Sequence, residues 1–496
     1  MLFSSSVFLL LFLPVVYLIN ALLSRVFRSS TTVSNCFLLI ASLVFYAWGE
    51  PVLVLLMIGS ILLNWFCGVM ISRAQAPVAP ALTGDQKAVQ GPVSSGSLSG
   101  NPLRTLWLAV AVICDLAILG YFKYAGFFAR TLNGLIGREA ITVPEIALPI
   151  GISFFTFQAI SYVADVYRGT TEASRNPINT ALYISFFPQL IAGPIVKYRD
   201  INRQIESRQI HWERTAEGFR RFIYGLAKKV LIANVLGLCA DTILTYHVTR
   251  IDPVAAWIGA LAYAFQIYYD FSGYSDMAIG LGKMFGFDYL ENFRYPYLSK
   301  SVSEFWRQWH ISLGTWFREY VYIPLGGNRK GKIRTYVNLA IVFLLTGLWH
   351  GANVTFLLWG AYHGFFVIIE RLGLKKLLDK SRILGGVYCF LAVMLGWVLF
   401  RMNSVDEAIT YIAHMIRPWH NWIAQIPAAE YLTAKTVAVF IAAVLGAGII
   451  QRVVPAKWRE KWLGSVPEAV WCAALLVLCI AYIAGESYNP FIYFQF

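Results

Sequence analysis

The chain has 496 residues, 58% hydrophobic and 16% aromatic, with only 14% charged and a formal net charge of +14. A soluble domain carries about a quarter charged residues, so the composition excludes a water-soluble globular protein and predicts an all-α polytopic integral membrane protein. The seven cysteines stand singly, with no CxxC pair, which points to buried thiols rather than a disulfide framework or a zinc site.

About 20 apolar residues span a bilayer, and roughly eleven runs of that kind are present. They lie near 6–23, 51–71, 105–122, 147–165, 226–245, 254–272, 336–352, 354–372, 384–400, 432–451 and 467–485. The first has no small-residue cleavage site after it and reads as a retained helix. Residues 37–48 form a shorter run that Gly49-Glu50-Pro51 separates from the next. Arg25, Arg28, Arg73 and Arg104 mark cytoplasmic loops, with the N-terminus outside. Residues 74–102 are rich in Ala, Pro, Gly and Ser without aromatics and are expected to be a disordered loop. Pro188 and Pro194 break the run 178–196, which predicts a re-entrant segment.

Positive charge concentrates in two segments. Residues 197–229 hold nine Lys or Arg against four acids, and residues 283–335 hold nine more against four. Positive-inside topology explains the sign of these segments but not their length. Within the second, 301–323 reads as one amphipathic helix at the membrane interface. Ser301 and Glu304 have capping-box spacing, and Phe305, Trp309, Leu313, Trp316 and Tyr320 form a stripe. A basic turn, "GGNRKGK" (326–332), follows.

His350, in "LTGLWHGANVTFLLW" (345–359), is the polar group that most needs explaining. Burying it in a membrane segment costs a few kcal/mol unless a partner is found. Either it is a neutral histidine bonded to a neighbouring helix, or it works chemically. Gly347, Gly351 and Ala352 thin the chain there, for close approach by a helix or by a ligand. Metal binding fits poorly, because no HExxH or Cys/His cluster exists. His363 reads as a packing or interfacial residue, and His211, His247, His414 and His420 read as loop residues. No GxSxG elbow or P-loop appears. An isolated imidazole near a basic, aromatic segment suits direct acyl transfer. A neutral imidazole accepts a proton from a hydroxyl that attacks a thioester, and the basic face attracts the donor's phosphates. A transporter for an anionic polymer would also need a basic mouth and intramembrane polar groups.

"FFPQLIAGPIVKY" (186–198), "YYDFSGYSDMAIGLGKMFGF" (268–287), "SVSEFWRQWHISLGTWFREYVYIPLGGNR" (301–329) and "LTGLWHGANVTFLLWGAYHG" (345–364) resemble the membrane-bound O-acyltransferase (MBOAT) family. "MLFSSSVFLLLFLP" at the start and the closing "NPFIYFQF" do too. The likeness is to the bacterial branch of alginate O-acetylation and teichoic-acid D-alanylation proteins, and closer to the polysaccharide-acetylation side. It implies a single membrane domain over 1–496, helices around a central funnel, and a catalytic core over 145–365. His350 matches the family's essential histidine and would be the base. His310 would position the donor or relay a proton. Asp270, Ser272, Tyr274 and Asp276 would line the funnel, with Asp276 also a candidate ion-pair partner. Trp309, Arg307, Trp349 and Asn353 are further candidates for substrate contact, with packing or anchoring the plain alternative for the first three.

The resemblance also implies a donor substrate entering from the cytoplasm, acetyl-CoA or an acyl-phosphopantetheine carrier, and no permanently bound cofactor or metal. It implies a periplasmic or membrane-anchored acetyltransferase or acceptor protein as partner, no nucleic acid, and a multi-pass place in the bacterial inner membrane. Alginate or a similar exopolysaccharide is the first expected acceptor. Cellulose or peptidoglycan acetylation, or D-alanyl transfer, are the same-class rivals.

Overall fold

A computed structural model describes residues 1–27, 30–74, 101–246, 250–416, 428–485 and 488–492. The expected loop over 74–102 and the readings of His247 and His420 therefore lie almost entirely outside the described residues. Among these residues the chain is helical, without a β-strand. Among the described residues, eight helices are long and apolar enough to cross a membrane. The other three expected spans also coincide with helices, Ile152–Arg168, Pro253–Met284 and Val354–Ile369. Two of these are 17 and 16 residues long, and the third, Pro253–Met284, is buried in protein along most of its length.

Pro253–Met284 is the axis of the fold. Its 32 residues are buried almost throughout, and the Asp252 carboxylate caps its start by accepting from Ala255 N at 2.8 Å. At about 1.5 Å per residue it is longer than a bilayer core is thick. Helix Trp212–Ala227 lies against it through four glycines. A Cβ on Gly218 would stand 2.6 Å from the Gly280 carbonyl oxygen, and one on Gly225 would stand 2.6 Å from that of Gly273. Gly280 and Gly273 meet the same limits in return. Small residues at seven-residue spacing on both helices thus set the separation, since lipid supplies no hydrophobic drive between helices.

The two chain ends meet on this axis. Phe3 stacks on Tyr274 at 4.5 Å and Phe491 packs on the same ring at 4.8 Å. Ile492 N donates to Asp270 Oδ2, and Asn489 Nδ2 donates to the Ser4 carbonyl.

The segment 178–196 does not cross. Pro177–Ser185 and Phe187–Leu190 are short buried helices, followed by buried extended chain. The expectation for 301–323 needs correction. Ser301 does cap a helix, accepting from Glu304 N at 3.1 Å. That helix ends at Gln308, and a second, Ile311–Phe317, starts after a break in which His310 takes φ +44°. Phe305, Trp309, Leu313 and Trp316 are buried rather than turned to an interface. The stripe was real, but its apolar partners are neighbouring helices. Trp316 lies flat on Phe157, with ring centroids 3.7 Å apart.

Candidate functional site

His350 is the last residue of helix Lys332–His350, which turns back into Val354–Ile369. Glycines allow that hairpin. A Cβ on Gly347 would run into the Phe356 carbonyl, and one on Gly360 into that of Phe343. The close approach that Gly347 permits is therefore made by a helix. The Asn353 side chain caps the second helix at Thr355 N and donates to the Asn403 carbonyl at 2.9 Å.

A helix end leaves its last carbonyls unsatisfied. Here a different helix supplies the donors, from the π-helical turn Gly120–Tyr124. Tyr124 Oη donates to the Leu348 carbonyl at 2.8 Å. Lys123 Nζ donates to the Trp349 carbonyl at 2.6 Å and the His350 carbonyl at 3.3 Å, and lies 3.3 Å from Ser153 Oγ. Such bulges recur at functional sites because they redirect one side chain without ending the helix. The His350 ring, 5% exposed, packs edge-on to Trp359 at 5.1 Å and Phe400 at 5.3 Å.

His310 packs near the same indole, Trp349. The indole centroid is 4.9 Å from the His350 ring and 5.9 Å from the His310 ring. His310 Nδ1 is 3.2 Å from Asn292 Oδ1, which also accepts from Ser312 N at 3.2 Å and Ser312 Oγ at 2.9 Å. An amide oxygen only accepts, so Nδ1 carries the proton and the lone pair is on Nε2. Among the described residues no hydrogen bond occupies that Nε2.

Cavities lie at His350 and beside the residues that follow each histidine. A narrow space of about 30 Å³, room for one water, is lined by Lys123, Ser153, Phe154, Trp349 and His350. Beside it, sharing Lys123 and Leu148, opens a chamber of about 380 Å³ lined by Gly351, Asn353, Thr355, Phe400 and Arg401 among others. A second narrow space of about 30 Å³ is lined by Lys197, Asp200 and Glu291 and by Ile311 and Ser312, which follow His310 in the chain.

The structure thus brings His350, His310 and Trp349 together and sets Asn353 in the adjoining chamber. It does not bring the rest. Asp270 is buried against Lys229 at 2.7 Å, and both hold the C-terminal segment, Lys229 through the Pro490 carbonyl. Ser272 and Tyr274 are buried on the same helix, Tyr274 against Phe3 and Phe491. Asp276 is ion-paired with Arg221 at 2.8 Å and Lys228 at 2.5 Å. Trp309 packs among Phe305, Phe293 and Trp397, and Arg307 is exposed. Of the other histidines, His363 is fully buried against Trp306 and Trp359, which makes it a packing residue and not an interfacial one. His414 lies in helix Val405–Ile416 with Nε2 2.9 Å from the Ile251 carbonyl, where a loop was expected.

Two residues at the site escaped the sequence reading. Lys123 had a usable signal, as a lone cation in the apolar run "ILGYFKYAGFF". Asn292 had none, because its neighbours fix no periodic element. Among the described residues, no group of three or more His, Cys, Asp or Glu is arranged to hold a metal ion.

Comparison with known proteins agrees with this architecture. The profile of the MBOAT, membrane-bound O-acyltransferase family matches residues 152–385. A Pseudomonas putida protein named "Probable alginate O-acetylase AlgI" is 40% identical over the full length of both chains. The Helicobacter pylori "Peptidoglycan O-acetyltransferase" is 34% identical over 84% of this chain and 80% of its own. The "Teichoic acid D-alanyltransferase" of Bacillus subtilis is 29% identical over 51% of this chain and 68% of its own.

Proposed function

Because the chain belongs to the membrane-bound O-acyltransferase family and is a multi-pass membrane acyltransferase, we propose that it moves acetyl from a cytoplasmic thioester to an extracytoplasmic polysaccharide such as alginate. It acts in the bacterial inner membrane, directly or through a periplasmic or membrane-anchored acetyltransferase partner. The donor is acetyl-CoA or an acyl-phosphopantetheine carrier.

The observation that carries this reading is that two imidazoles pack against one indole, Trp349, with one narrow cavity lined by His350 and another by Ile311 and Ser312, the two residues after His310. The thioester would come in beside Ser312 and His310, from the side bearing Lys197, and the hydroxyl through the chamber at Asn353. His350 takes the hydroxyl proton as the oxygen attacks the thioester carbonyl. The C–S bond breaks, the ester forms, and the departing thiolate regains the proton. No acyl-enzyme is needed. His310, with its proton fixed on Nδ1 by Asn292, presents Nε2 to position the donor or relay that proton. Surrounding rings exclude water that would hydrolyse the thioester.

His350→Ala tests the reading in cells. Exported glycan should lose alkali-releasable acetate while the variant remains inserted at wild-type abundance. Undiminished acetate would instead favour a glycan transporter without chemistry of its own. Likeness to the peptidoglycan enzyme supports a second acceptor class, and acetate on cell-wall muramyl residues rather than exopolysaccharide would identify it.

A further inference from the structure

The segment 197–229, rich in Lys and Arg, is mostly neutralised inside the fold. Lys197, Arg199, Arg214, Arg220, Arg221, Lys228 and Lys229 each stand within 4 Å of a carboxylate. Arg203 is exposed. Arg208 is half-buried, and among the described residues it has no carboxylate partner.

Neutral groups hold Arg208 in place. Nη1 donates to Asn35 Oδ1 at 2.5 Å, Nη2 donates to Ser34 Oγ at 2.9 Å, and the guanidinium lies 4.6 Å from the Phe287 ring centroid. Its stem runs past Gly286, where φ is +83° and a Cβ would stand 3.2 Å from Arg208 Cδ. Burial lowers its pKa to about 10, which leaves it a cation at neutral pH. A partly desolvated charge without a counter-ion is unfavourable, so its fixed position calls for an anion from outside.

Two cavities meet at this side chain. One, of about 460 Å³, adds Ser30, Thr31, Gln204, His211 and Arg214; the other, of about 480 Å³, adds Tyr17, Ser24, Arg25 and Trp212. Glu206, exposed, is the one carboxylate in either lining. We infer that Arg208 is the centre of a binding site for a phosphate-bearing ligand on the Lys/Arg-rich face of the protein. A guanidinium carries five N–H donors, of which Asn35 and Ser34 take two, so others remain for phosphate oxygens. The second cavity opens at the end of the span Phe8–Val26, beside Trp212, which is 76% exposed. Lipid phosphates lie at that level of a bilayer. The site goes beyond acyl transfer when its ligand is a phospholipid head group, and rests on that reading when the ligand is the donor's phosphates.

The test is direct binding to the full chain in a phosphate-free maltoside detergent at low ionic strength, with dioctanoyl-phosphatidylglycerol and coenzyme A as separate probes. Wild type should bind at least one, and R208Q should weaken that binding about tenfold, the loss of one charge-assisted contact. Dependence of the lipid probe on Arg25 as well would assign the site to lipid, and dependence of coenzyme A on His211 would assign it to the donor. R25Q and H211Q alter exposed residues, so they carry the test if R208Q does not fold. Binding is read without turnover and repeated in H350A, so a failure of the acyl-transfer reading leaves the result standing. Neither probe binding wild type, or binding indifferent to these substitutions, would overturn the proposal.

Discussion

Both imidazoles stand where a helix breaks, but the two breaks are made by different means. At His350 the helix simply ends, and its open carbonyls are taken by Tyr124 and Lys123 from a helix more than 200 residues away in sequence. The ring itself is placed by aromatic packing against Trp359 and Phe400. At His310 the break is local. The residue adopts φ +44°, and Asn292, 18 positions away, accepts from the histidine and from Ser312. A left-handed backbone costs a non-glycine residue roughly 1 kcal/mol or more, which the three hydrogen bonds at Asn292 offset. One imidazole is therefore positioned through its main chain, the other through its side chain. Substitutions around the first should move the ring bodily, whereas those around the second should change its tautomer and orientation.

That contrast yields ordered expectations. The largest effect after loss of His350 itself is expected from His310→Ala, a drop in acetyl transfer of about a hundredfold or more, as for loss of a proton-handling group. A steady-state assay in nanodiscs reads it, and a change below threefold would demote His310 to packing. Asn292→Ala leaves His310 present but untethered. Activity should fall about tenfold to a hundredfold through misplacement and loss of the fixed tautomer. Unchanged activity would break the comparison on the His310 side.

Lys123→Met probes the other break. Two buried carbonyls lose their donor, at a cost of about 1–3 kcal/mol, so the melting temperature should fall and kcat should drop more than KM rises. Gly347→Ala should show a similar loss of about 1–3 kcal/mol from overpacking against the Phe356 carbonyl, read by thermal unfolding in detergent. Arg307→Gln, on an exposed side chain, should stay within about 0.5 kcal/mol of wild type and leave transfer unchanged. A large defect there would mean that the exposed face of 301–308 takes part in donor binding.

Much of the helical layout was legible because the eleven apolar runs are long and each coincides with a helix. His350 was legible because one imidazole in an apolar run has a cost that must be explained. The stripe Phe305–Trp309–Leu313–Trp316 correctly marked an apolar face. It could not show that the helix breaks at His310, because a positive φ at a non-glycine residue leaves no mark in hydrophobic spacing. The family resemblance put Asp270 and Asp276 in the funnel lining, with an ion pair as the alternative for Asp276, and sequence cannot say whether a carboxylate faces a passage or a lysine. Here Lys229, Lys228 and Arg221 take them. Residues 197–229 show the same ambiguity: topology explained the sign of their charge, and the fold shows that seven of the nine cations stand beside carboxylates. Lys123 is a single cation in an apolar run, and nothing in the sequence shows that its amine meets the carbonyls of Trp349 and His350.

The most direct test is a single-turnover measurement with purified H350A, labelled acetyl thioester and a hydroxyl acceptor in nanodiscs. A transfer rate lower by about a thousandfold, with donor affinity and helix content unchanged, is the predicted result. Transfer at the wild-type rate would contradict the assignment of His350 as the base.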